Sequence, residues 1–475
     1  MRYLVLFFSL VSLLAIPAAA AQSGKADALV SVAPQEDGNW HVAYTFEEPQ
    51  TALVFARSDN NYRSATWQLE TEEARFGRVN DLDVIVFDDP AKEVSFSIVP
   101  VTSTLVADYT PFIPFGDGGL AIYEGQFALV PFESLEAVEE IEDGLPSVAT
   151  EPLAMRIAIS ADTPIIVDGQ PVEGNLQHEI AGDGTYIYLG DSEVEQFDSF
   201  TAILDASLPA WLGDRFAGDL QGIFAGLEAL WGFELSEQAT VFLASRGLTG
   251  KGMSNTGGAL DNLLMMEVSG EALAEPDPNT LFYLQWFFAH EAVHLFQTDK
   301  DVTFASGEDA WIHEGAANTM AYNLIAAGLP DGGEKFLSSV YASAFEECVA
   351  ALEAGPLETV GEREAFSANY ACGDLIALAT DGYLKRKTLY QFWDRLILNA
   401  VSMDDTEINR TLYFTTMQLL GATRAERTRI RDIVEEDLDD PREALTELLK
   451  TAGLNPQFDA DGTLVKLDWP DYAAE

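Results

Sequence analysis

Two histidines four positions apart, His290 and His294, enclose a glutamate, Glu291, in the stretch Phe287-Phe288-Ala289-His290-Glu291-Ala292-Val293-His294-Leu295-Phe296. Side chains at i and i+4 stand one above the other on a helix. Both imidazoles can then reach one zinc ion, with the glutamate placed as general base. A catalytic zinc keeps three protein ligands and one open position. The third ligand should be a carboxylate or histidine on a neighbouring element. Glu314 is the first candidate, twenty positions after His294 near the head of a second helix. His313, Glu308 and Asp309 compete with it. On a shared helix His313 is expected to point about 100° away from Glu314.

The elements that must hold these residues are legible around them. Asp277-Pro278 predicts a helix start, with Asp as N-cap and Pro at the first helical position. That helix carries the histidines and fades near Thr298. A second begins near Asp309, runs through Trp311-Ile312-His313-Glu314-Gly315 and stops near Gly328. Upstream, Phe200–Asp205, Ala239–Ala244 and Leu263–Val268 read as strands, and 210–231 as an amphipathic helix. The run Gly252 to Leu260 is rich in glycine and reads most simply as a loop. From 26 to 180, short apolar runs punctuated by Asn, Asp, Gly and Pro predict a β-sandwich or related β-domain. His41 and His178 stand there singly, as ordinary packed or surface histidines. Beyond Gly332 apolar stripes at helical spacing predict an α-helical region. The chain thus reads as multidomain α+β: a leader at 1–20, an N-terminal β-domain at 22–190, a catalytic domain at 191–331 and an α-helical domain at 332–475.

His-Glu-Ala-Val-His followed by Trp-Ile-His-Glu-Gly resembles the gluzincin metallopeptidases, with thermolysin-like ligand spacing and the wording of the aminopeptidase and glycyl aminopeptidase branch. The resemblance is specific over about Gly252 to Gly373 and general elsewhere. It implies an N-terminal β-domain, a thermolysin-like catalytic domain and a helical domain. It implies one zinc ion on His290, His294 and Glu314, and Glu291 taking a proton from the metal-bound water that attacks a peptide carbonyl. Asn318 is a candidate orienter of a ligating histidine. The oxyanion donor implied is a tyrosine. Tyr370-Ala371-Cys372-Gly373 is similar to the Tyr-x-Lys-Gly setting, so Tyr370 is the candidate and Tyr383 the fallback. The glycine-rich passage and Leu263 to Val268 occupy the place where the resemblance implies the edge strand that holds the substrate backbone, and the aminopeptidase branch carries there a G-x-M-E-N motif whose glutamate binds the substrate amino terminus. At Gly252-Met253-Ser254-Asn255 that glutamate is missing, and Glu267 comes later. End-trimming and internal cleavage both stay open.

Composition sets the address and the partners. Arg2, an apolar run from Leu4 to Ile16, and Ala18-Ala19-Ala20 form a secretory signal pattern, with cleavage near Ala20 or Ala21. The expected location is periplasmic or secreted, with no membrane span left after cleavage. The net charge of -52 repels nucleic acid and anionic lipid, and suits a solvated acidic coat. Two cysteines, Cys348 and Cys372, are able to pair in an exported protein. The function expected is an exported zinc metallopeptidase acting on peptides or proteins. The alternatives are a catalytically silent envelope protein of the same fold that binds peptides or protein partners, and zinc hydrolysis of a non-peptide bond. No Gly-x-Ser-x-Gly elbow and no P-loop are present.

Overall fold

The computed structural model describes residues 26–58, 61–102, 109–141, 145, 150–300, 302–305, 307–329, 333–384, 388–403 and 406–468. The expected leader and its cleavage point lie outside these residues. The helices are α1 (Tyr62–Thr66), α2 (Leu135–Glu139), α3 (Ala210–Trp231), α4 (Pro278–Thr298), α5 (Trp311–Ala327), α6 (Gly333–Leu352), α7 (Ser367–Leu384), α8 (Leu389–Ser402), α9 (Arg410–Leu419), α10 (Arg424–Glu435) and α11 (Pro441–Thr451). No helix among the described residues is long and apolar enough to cross a membrane.

The N-terminal region is a sandwich of two sheets. The larger is built on Ala28–Pro34, Trp40–Phe55 and Leu82–Ile98, and the smaller on Phe112–Pro114, Leu120–Tyr123 and Tyr186–Leu189. Alternate residues of a strand face opposite sides. In the smaller sheet Phe112, Ile122 and Ile187 therefore face the larger sheet and pack on Val42, Phe96 and Ile157. Their neighbours Ile113, Ala121, Tyr123, Tyr186 and Tyr188 face the other way, onto Ile203, Phe242, Ala244, Leu263 and Met265 of a third sheet. Burial on both faces explains why Tyr186–Leu189 is apolar without alternation.

The third sheet runs in the order Val194–Gln196, Phe200–Leu204, Ala239–Ser245, Leu263–Ser269, Ser254–Leu260. Its three middle strands are parallel. Its face away from the sandwich packs under α3 and α4 through Phe200, Val241, Leu264 and Met266 against Phe216, Phe224, Phe288 and Ala292. One continuous hydrophobic core extends from Phe200 to Leu467. It takes in helices on both sides of the boundary expected at 331/332. The α+β layout, with strands leading and helices trailing, is the one expected. The glycine-rich run forms the edge strand that the resemblance implies and not the loop its glycines alone suggest: Ser254–Leu260 pairs antiparallel with Leu263–Ser269 around a tight turn. Two short pairings also escape the sequence reading, Thr303–Phe304 with Glu407–Ile408 and a hairpin of Asn455–Phe458 with Leu464–Asp468.

Candidate metal centre and cleft

Helix α4 begins where Asp277 accepts a hydrogen bond from Thr280 N at 3.0 Å, with Pro278 as its first residue. Its apolar stripe (Leu284, Phe288, Ala292, Leu295) enters the core and fixes its rotation. The opposite stripe, His290 and His294, therefore faces a cleft against α5. There Nε2 of His290 and Nε2 of His294 lie 3.2 Å apart. Oε2 of Glu314 lies 3.2 Å from the first and 3.4 Å from the second. A tetrahedral zinc about 2.0–2.1 Å from each donor sets those donors about 3.3–3.4 Å apart. Glu314 Oε2 is buried and closes no hydrogen bond. This triangle of a carboxylate oxygen and two imidazole nitrogens fits a zinc ion.

The surroundings tune each group. His294 Nδ1 meets Gln297 Oε1 at 2.8 Å, while Gln297 Nε2 donates to His313 O at 3.2 Å. The amide is thus oriented with its oxygen toward the ring, so Nδ1 carries a proton and Nε2 is the nitrogen left to face a metal, which must displace any proton held there. Burial opposes charge on His294, but Glu314, Glu291 and Gln297 outweigh it and hold the ring up at about 9. Burial pushes the Glu291 carboxyl up; His290 and His294 pull it down, and Glu314 adds to the rise. Burial also opposes ionisation of Glu314, yet the histidines hold it well below the usual range.

Tyr370 opens onto the cleft beside the triad, its ring 5.9 Å from that of His290 and its hydroxyl bonded to Glu314. Burial, Glu314 and Glu291 push that hydroxyl far up, so it stays a donor. Two close contacts bring it there. Helices α5 and α7 cross at Gly315 and Gly373, where a Cβ on Gly315 would stand 2.0 Å from the Gly373 carbonyl carbon. A disulfide joins Cys348 of α6 to Cys372 of α7, with Cα atoms 4.9 Å apart. Tyr383 is not near the cleft. It faces α11, with its hydroxyl 2.8 Å from Thr451 Oγ1.

Several expectations are corrected. His313 does not turn away from Glu314: its Nε2 comes within 3.6 Å of Glu314 Oε1, because its ring stacks on Phe304. Burial holds that ring below the usual histidine range. Asp309 and Glu308 are committed to Arg410, at 2.6 and 3.4 Å. Asn318 accepts from Trp286 Nε1 at 3.1 Å and bonds Asp374, so it orients no ligating histidine directly. Gln297, which sequence reasoning missed, fills that role for His294. Its position three residues after His294 on the same helix face was the available signal.

The cleft, about 770 Å³ in volume, is floored by the edge strand and walled by Arg57, Tyr109 and Tyr186 of the sandwich. The strand lines it from Thr256 to Leu260, and the turn residue Asp261 follows. Gly252-Met253-Ser254-Asn255 does not line it. The stretch that does, Gly258-Ala259-Leu260-Asp261, is followed by Asn262, giving the Gly-x-apolar-acid-Asn order of G-x-M-E-N with Asp for Glu. Tyr109 Oη donates to Ala259 O at 2.8 Å. Glu267 is neutralised by Arg246 at 2.7 Å.

The fold is one shared with a solved aminopeptidase N family protein. No protein-family model and no curated protein sequence matches the chain. Among solved structures it is similar to an aminopeptidase N family protein from Idiomarina loihiensis, with a TM-score of 0.64 and 14% identity over 92% of this chain and 80% of that one. Leukotriene A4 hydrolase from Saccharomyces cerevisiae gives a TM-score of 0.48 and 12% identity over 86% and 66% of the two chains. At such identities the likeness is one of fold.

Proposed function

We propose that the protein is an exported zinc-dependent metallopeptidase that hydrolyses peptide bonds. The observation that carries this reading is the His290–His294–Glu314 triangle, whose edges of 3.2 to 3.4 Å suit tetrahedral zinc, with Glu291 beside it in a cleft floored by an open strand edge. An extended peptide adds to such an edge through main-chain hydrogen bonds. Gly257 and Gly258 put no side chain in its way. Zinc held by the triad supplies polarisation of a carbonyl oxygen and acidification of water. Glu291 takes the proton from the attacking water and returns it to the departing amine. Tyr370 donates to the oxyanion that develops on the carbonyl. Removal of N-terminal residues is favoured over internal cleavage on the acid-Asn order of Asp261-Asn262, whose aspartate lines the cleft at the end of the edge strand. The disulfide supports an oxidising compartment, hence export to the periplasm or beyond.

The test is metal analysis of the mature protein together with digestion of a mixed peptide library. Wild type and Glu291→Gln should each hold one zinc, and the variant should cleave about 10²–10⁴-fold more slowly. Products shortened by one residue at a time from the N-terminus should accumulate. Absence of zinc, or equal cleavage by both proteins, would sink the reading. Internal cuts alone would sink the end-trimming part.

A further inference from the structure

The triad uses one oxygen of Glu314. Oε2 makes the 3.2 and 3.4 Å contacts with the two histidines, whereas Oε1 faces His313 Nε2 at 3.6 Å. That separation is an electrostatic contact just beyond hydrogen-bond length. Consecutive helix residues diverge by about 100°, so something must hold His313 toward its neighbour. Phe304 does so. Its ring lies flat on the imidazole, with centroids 4.3 Å apart and planes 13° from parallel. Phe304 is held in turn from the C-terminal helices. Thr303–Phe304 pairs with Glu407–Ile408, and the edge of Trp393 on α8 approaches the Phe304 ring at 6.2 Å. The His313 carbonyl is anchored separately by Gln297.

We infer that His313 is a positioning residue for the third ligand: its Nε2 edge, held facing Oε1, would keep Glu314 to one-oxygen binding, and the Phe304 stack sets how firmly it does so. The inference rests on reading the triad as a metal site. Its physical basis is that a buried carboxylate oxygen with no donor is costly, and that a carboxylate free at both oxygens can swing between one- and two-oxygen binding. The Tyr370 hydroxyl also reaches Glu314, but it is the group that turns to the oxyanion, so the donor that stays beside Oε1 is His313, which eases both penalties. Partners of metal ligands are generally worth about 10–100-fold in metal affinity. Residues a hundred positions downstream of the motif thereby reach the metal through one stacked ring.

The test uses the mature full chain. Zinc affinity is measured against a competing chelator for wild type, His313→Asn, His313→Phe, Phe304→Leu and the double variant His313→Phe/Phe304→Leu. Urea midpoints of the metal-stripped proteins are measured alongside. His313→Phe should weaken zinc about 10–100-fold, with unchanged urea midpoint. His313→Asn, which keeps a donor, should recover part of the loss. Phe304→Leu should give a smaller loss that disappears on top of His313→Phe, because both act through the same ring. Equal zinc affinity in wild type and His313→Phe overturns the inference, as does a loss that merely follows a fall in the urea midpoint. Additive losses overturn the role of Phe304. A wild-type protein that takes up no zinc overturns the metal reading itself, which is a separate result.

Discussion

Tyr370 and Tyr383 sit on one helix, thirteen positions apart, yet only Tyr370 meets the cleft. Thirteen steps of about 100° rotate a side chain well away from its starting face. If Tyr370 stabilises the oxyanion, Tyr370→Phe should lower kcat about 10²–10³-fold with KM little changed. Its zinc content, measured in the same samples, should equal that of wild type. A variant that keeps its kcat would remove Tyr370 from the chemistry. At this scale the sequence is most legible where chemistry and helical spacing coincide. His290, Glu291 and His294 declare themselves because a metal needs i and i+4. Glu314 is legible by its distance along the chain. For His313, helix geometry gives the direction of the Cβ but not the partner, Phe304, that bends the ring back. Gln297 was passed over because a glutamine carries no chemistry until its histidine is placed beside it.

Among the elements, the crossing of α5 and α7 has the least tolerance. The nearest atoms to a Cβ on Gly315 all belong to the Gly373 backbone and cannot step aside. Gly315→Ala should therefore destabilise the protein by about 1–3 kcal/mol or more, seen as a lower urea midpoint. It should also separate Tyr370 from Glu314, so the folded protein loses turnover as well. Wild-type stability and turnover in this variant would mean that the helices are free to shift. The start of α4 is readable because it is local to Asp277-Pro278, and the structure adds a capping box of Thr423 with Glu426 on α10. The edge strand is legible through the resemblance alone, because Ser254–Leu260 lacks the β-branched pattern and owes its form to its ladder with Leu263–Ser269. The two-residue pairing at Phe304 left no pattern at all, since its partner lies about a hundred positions away.

For the whole molecule the dominant quantity is charge. With 78 acidic against 26 basic residues, the folded surface repels itself. Salt screens that repulsion over about 10 Å at 0.1 M. The melting temperature should accordingly climb as sodium chloride is raised from about 10 mM to about 0.5 M, and a fall would show that screened ion pairs such as Arg410–Asp309 matter more. The order of the regions was legible from strand-like and helix-like periods. How the sandwich would meet the third sheet was not, because residues buried on both faces of a strand lose the alternation that marks sides. The open edge of Ser254–Leu260 carries one more consequence. An unpaired strand edge is ordinarily a template on which other chains stack and aggregate. Here Tyr109 stands over it and caps Ala259 O, so the edge faces a slot instead of bulk water. On the proposed function, that slot is where a single extended chain would lie down beside the strand.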